Sequence, residues 1–168
     1  MISAEYARQM ARYNRWQNSQ LAGFLAELPV DELTRDRGAF FGSILGTANH
    51  LLWGDTMWMS RFDGGDAPAG GISDSTGFCP DLPAWQEART AVDARIGRWA
   101  ENLTDAELQG DLTWYSGAAG REVSKPLAML VVHMFNHQTH HRGQIHKMLT
   151  ESGSSAPVSD LFFMPEDV

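Results

Sequence analysis

The 168-residue chain is 43% hydrophobic and 20% charged, a globular balance that excludes a disordered chain. Its net charge of −8 argues against a phosphate-backbone partner, which needs clustered Lys and Arg, so no nucleic acid is expected. The single cysteine, Cys79, excludes an internal disulfide, and no apolar run approaches the ~20 residues that span a bilayer. With no signal-peptide core at the first residues, the composition predicts a cytoplasmic protein without a membrane partner, folded as one domain over residues 1–168.

Ser3 is placed to cap a first helix, with Glu5 in the first turn, where the helix dipole favours negative charge. Met10, Tyr13, Gln17, Leu21, Phe24 and Leu28 step by three or four, and Pro29 closes the helix. Residues 30–42 read as a polar link with one short helical turn. Ser43 caps a second helix running to about Phe62, whose core stripe includes Ile44, Ala48, Leu51, Asp55 and Trp58. His50 lies beside that stripe. Gly46, Thr47 and Gly54 are its neighbours one turn away, and such small residues leave room for an imidazole in a pocket.

Residues 63–80, rich in Gly, Ser, Asp and Pro, read as a loop. Leu82-Pro83 opens a third helix with the stripe Trp85, Ala88, Val92, Ile96, Trp99 and Leu103. That stripe assigns Arg89, Arg95, Arg98 and Glu101 to the wet face. Thr104 and Glu107 form a capping box. Two β-prone runs, Leu112 to Tyr115 and Glu122-Val123, flank Gly117 and Gly120 and predict a small β-hairpin packed on the helices.

Ser124 is expected to cap the fourth helix, with Pro126 in its first turn and Gly153 at its end. This helix carries four of the chain's six histidines within a few residues: His133, His137, His140 and His141. Side chains at i and i+4 share a helix face, so His137 and His141 can aim imidazole nitrogens at one point, as a metal ion requires. Spacing alone admits the pair His133 and His137 equally. Four amphipathic helices make an all-α four-helix bundle, and a bundle builds metal sites from side chains of different helices. His50 on the second helix can therefore join the histidines of the fourth.

The segments Asn136-His137-(three residues)-His141-Arg142-Gly143-Gln144 and Asn49-His50-Leu51-Leu52-Trp53, with Tyr13-Asn14 and Trp16 near the start, occur in this order and spacing in a known family. Over residues 1–153 the chain resembles the DinB/YfiT family of metal-binding four-helix bundles. The resemblance implies an up-down-down-up bundle with His50, His137 and His141 as metal ligands, and it leaves out His133, His140 and His146. It also implies a homodimer. Relatives in the wider superfamily are thiol-dependent S-transferases, one branch being a maleylpyruvate isomerase that uses mycothiol.

Three neutral imidazoles suit zinc, nickel or iron(II) and leave a coordination position open, which favours chemistry over a closed structural site. The first reading is a transferase in which the metal activates a low-molecular-weight thiol against a small-molecule electrophile. The second is a hydrolase, with Asp55 or Glu122 as general base. The third is a metal-binding or sensor protein without turnover. Gln144 is placed to orient a ligand, and Arg142 to pair with an acidic neighbour. The apolar tail residues 161–164 are expected to dock on the bundle or on a second subunit.

Overall fold

A computed structural model describes residues 1–117 and 119–168. Ser3 caps α1 (Ala4–Ala26), its side chain accepting from the Tyr6 N–H. The helix stops ahead of Pro29, which stands at the start of a short α2 (Val30–Thr34). Ser43 caps α3 (Ile44–Asp63), its Oγ accepting from the Gly46 N–H at 3.0 Å. Asp81 caps α4 (Leu82–Asn102) by accepting from the Ala84 N–H at 2.9 Å. The capping box forms, with the Thr104 N–H donating to Glu107 Oε2 at 2.8 Å and the Glu107 N–H to Thr104 Oγ1 at 3.2 Å.

The hairpin is present as β1 (Asp111–Ser116) and β2 (Arg121–Pro126), paired antiparallel with Trp114 opposite Val123. It corrects one expectation. Ser124 does not cap the last helix; it lies within β2, where its Oγ accepts from Thr113 Oγ1 at 2.9 Å. The residue before a proline disfavours helical geometry, so the chain stays extended through Lys125. α5 (Leu127–Glu151) starts only after Pro126. It ends at Gly153, whose φ of +81° is left-handed and lets the Ser154 N–H return to the Leu149 carbonyl.

Contacts along the helices set their directions. Ala48 meets Trp85, Asp55 meets Arg89 and Asp63 meets Arg95, so α3 and α4 run parallel. Gln86 reaches Ala22 and Asp93 reaches Asn14, which makes α1 antiparallel to α4. Asp55 meets Gln138, and His50 meets His137 with Trp58 against His133, so α5 opposes α3. The result is an up-down-down-up four-helix bundle whose connections are long enough to carry the loop and the hairpin.

The core has two apolar halves. One joins Ala7, Met59, Ile96, Val131 and Phe135; the other joins Leu25, Ile44, Leu52, Trp85 and Ile145. Between them lies a polar layer drawn from all four long helices. Arg89 Nη1 donates to Asp55 Oδ2 at 2.6 Å and its Nη2 pairs with Asp93 Oδ1 at 2.9 Å. Gln138 Nε2 donates to Asp55 Oδ1 at 3.0 Å, and Asn18 Nδ2 to Asp93 Oδ1 at 2.9 Å. Arg142 donates to Asn14 Oδ1, and Asn14 in turn to Asp93, so Arg142 meets an amide rather than the acidic neighbour expected for it.

Arg89 is therefore not on the wet face of its helix; only 3% of its side chain is exposed. The buried face of α4 runs through Trp85, Arg89, Asp93, Ile96 and Ala100, rotated from the apolar stripe by Arg89 and Asp93, which pair with each other and with Asp55, Asn14 and Asn18 on other helices. Beyond Gly153 the tail returns to α1, where Gln17 Nε2 donates to the Val158 carbonyl at 2.8 Å and the Tyr13 hydroxyl to the Ser159 carbonyl. Phe162 and Phe163 remain 78% and 59% exposed. Among the described residues, no helix is long and apolar enough to cross a membrane.

Candidate metal centre

His50 on α3 and His137 and His141 on α5 come together, each offering a ring nitrogen within 4.8 Å of the others. The Nε2 atoms of His50 and His137 are 3.3 Å apart, and those of His137 and His141 are 3.0 Å apart. Three nitrogens held ~2.0–2.1 Å from one tetrahedral ion lie roughly 3.3 Å from each other, so the two separations to His137 are those of a shared metal ion.

The outer nitrogens define the tautomers. Ser75 Oγ donates its one proton to the Ile72 carbonyl at 2.7 Å, so toward His50 Nδ1, 2.9 Å away, it can only accept. His50 is then protonated on Nδ1, and its Nε2 lone pair faces the cluster. His141 Nδ1 sits 2.8 Å from Gln144 Oε1, the carbonyl end of an amide whose nitrogen faces His140 Nε2 at 3.2 Å. That arrangement likewise leaves the Nε2 lone pair of His141 facing inward. Two inward lone pairs beside a third imidazole nitrogen repel unless a cation or a proton lies between them. Gln144 thus orients the His141 ring.

The local sequence explains how these rings are held. Asn49, beside His50, donates through Nδ2 to the carbonyls of Thr76 at 3.0 Å and Cys79 at 2.9 Å. It pins the loop that carries Ser75 onto α3. Phe41 stacks on the His50 ring with centroids 3.7 Å apart and covers one side of the cluster. Gly54 faces the His137 ring, and a Cβ there would come within 2.9 Å of His137 Cε1. Gly54→Ala is therefore expected to displace the ring and weaken zinc affinity about tenfold or more, the scale on which ligand orientation acts. Zinc titration of the folded variant checks it, and wild-type affinity would show that the contact is immaterial.

The other histidines stay out. His140 and His146 are exposed, and His133 stands at the rim of an adjoining cleft with its ring against Trp58. Cys79 is buried away from the cluster, and burial pushes its thiol pKa up, as expected for an inert packing residue. Asp55 is fully buried and held by Arg89 and Gln138. Glu122 is exposed on β2 opposite Tyr115, on the strand face away from Trp114. Ser75 was not legible as a functional residue, because it lies 25 positions from His50 in a segment without periodicity.

A model of the DinB family matches residues 1–167. The chain belongs to the DinB family. It is 26% identical over 161 residues to Protein DinB of Bacillus subtilis strain 168, covering 92% of this chain and 91% of that one. The crystal structure of a DinB-like protein from Bacillus cereus ATCC 10987 superposes with a TM-score of 0.63. At 16% identity over 85% of this chain and 90% of the other, that likeness shows the shared fold. The three-histidine cluster is compatible with metal binding in this DinB bundle.

Proposed function

We propose that His50, His137 and His141 hold one divalent metal ion, zinc, nickel or iron(II), and that the centre serves a thiol S-transferase acting on a small molecule. The observation that carries the metal reading is the convergence of Nε2 atoms whose rings are oriented from outside by Ser75 and Gln144. A metal ion there supplies the positive charge that favours the thiolate form of a small thiol at neutral pH. The protein's own contribution is positional. Ser75 and Gln144 fix two rings, Phe41 shields one side, and a cleft of about 720 Å³ reaches His50 and His137 from the other.

Hydrolysis needs a general base near the open position. Asp55 is already committed to Arg89 and Gln138, and Glu122 faces away, so these geometries favour thiol transfer over hydrolysis. The test is a screen of low-molecular-weight thiols against electrophiles with the zinc- or nickel-reconstituted chain. Metal-dependent thiol consumption that disappears in His137→Ala is expected. Metal binding with no thiol-dependent turnover would leave a metal-binding protein and overturn the transferase.

The site's pH dependence follows from its burial. Burial, then the charge of His141, lowers the pKa of His50 to about 4. Burial and the surrounding imidazoles lower that of His137 to about 3. Both lie below the ordinary value of about 6.5, so the unfolded chain binds more protons than the folded one between these limits. The metal-free fold accordingly loses stability as pH falls through that window. Within the fold, protons compete with metal only near or below the depressed values, so zinc should be retained at pH 5.5 and released only as pH falls below about 4. Release centred near pH 6.5 would contradict the depression.

We place the protein in the cytoplasm and propose a homodimer that covers the exposed Phe162 and Phe163. Sedimentation at micromolar concentration is expected to give a dimer, and a monomer there would refute it.

A further inference from the structure

The cleft beside the histidines has a chemical signature of its own. Trp53, Met57, Trp58 and Trp114 give it aromatic and apolar walls, with His133 at the rim. Arg61 is the one arginine or lysine among the described lining residues, with its guanidinium carbon 4.6 Å from the Trp58 ring centre and 5.5 Å from that of Trp114. A guanidinium that lies on aromatic faces keeps its N–H donors in its own plane, free to bond elsewhere.

Arg61 uses none of them toward the described residues. Among the described residues it makes no salt bridge or hydrogen bond, although carboxylates are plentiful in this acidic chain. Asp63, two residues on, is taken by Arg95 at 2.7 Å, and Asp55 is taken by Arg89. The guanidinium is also partly desolvated, and burial pulls its pKa down. A half-buried guanidinium that pairs with no described residue, at the wall of an aromatic cavity, has N–H donors free to take an anion.

Given the three-histidine centre as the place of chemistry, we infer that this cleft takes an aromatic or similarly flat apolar substrate bearing a carboxylate. Arg61 receives that carboxylate, and the tryptophans receive the ring. The planar fork of Arg61 matches a carboxylate with two parallel hydrogen bonds, which a lysine cannot reproduce. Anchored there, the substrate extends along the cleft toward His50 and His137. Arg61 is then a residue that selects and positions substrate, apart from the metal ligands.

The probes are 2-naphthoate and its neutral isostere 2-naphthamide, titrated by calorimetry into the zinc-loaded full chain and again after chelation. The wild type should bind the carboxylate about tenfold or more tightly than the amide, with and without zinc. Arg61→Gln should erase that preference while zinc stoichiometry stays unchanged, and Arg61→Lys should keep only part of it. Equal affinity for the two probes, no binding of either, or a preference untouched by Arg61→Gln would each overturn the inference. So would a preference that vanishes on chelation, since the metal would then be the carboxylate's partner. A wild type that prefers naphthoate but takes up no zinc would instead sink the three-histidine centre and leave the anion site standing.

Discussion

Replacing His137 or His141 by alanine is expected to abolish stoichiometric metal binding, while His146→Ala leaves it intact. The two histidines stand one turn apart on α5 with their Nε2 atoms 3.0 Å from each other, so removing either leaves two imidazoles in a cluster of three. A three-ligand site cut to two loses most of its affinity, because the remaining positions fall to water. His146 lies on the same helix but is exposed, and it controls for the general loss of an imidazole. Metal content after dialysis, measured with circular dichroism on the same samples, checks the expectation. Full retention in both ligand variants would remove the assignment.

The second large effect concerns the fold rather than the site. Arg89→Met is expected to destabilise the protein by about 3–5 kcal/mol, the usual consequence of removing one partner from a buried ion pair. Asp55 and Asp93, 0% and 6% exposed at their side chains, would be left with no direct cationic partner. For a chain of this size that corresponds to a melting temperature lower by roughly 10 °C. Combining Arg89→Met with Asp55→Asn and Asp93→Asn should recover much of the loss, because the uncompensated charges go with the arginine. Thermal melts of the single and triple variants decide it. A single variant that melts within a degree or two of wild type would mean the network contributes little.

That network also marks where the sequence stops being legible. Apolar spacing located the four long helices, because each buries a stripe that repeats with the helical period. Ser3, Ser43 and Gly153 marked their ends. The same method put Arg89 in water, since periodicity registers which residues are apolar and carries nothing about charge partners on another helix. A trace existed: Trp85, Arg89, Asp93, Ile96 and Ala100 are themselves spaced by three and four, so two charges interrupt a continuous buried stripe. Ser124 misled because a good capping residue two positions before a proline is read differently once a partner strand is available. At the site, the i, i+4 histidines were plain, and His50 needed a resemblance to single it out. Ser75 and Arg61 matter through contacts that only the folded chain creates.

The most direct test of a metal centre built from α3 and α5 is elemental analysis of the wild type and His50→Ala, both purified without added metal. His50 alone brings α3 to the centre, so it decides whether the ion ties two helices together. The wild type should carry about one divalent ion per chain, and the same ion should add about 2.7 kcal/mol of stability when free metal exceeds its Kd a hundredfold. His50→Ala should be markedly substoichiometric and lose most of the chelator-sensitive part of its melting temperature. A wild type that carries no metal and takes none up, or a His50→Ala variant that retains a full equivalent, would contradict the account.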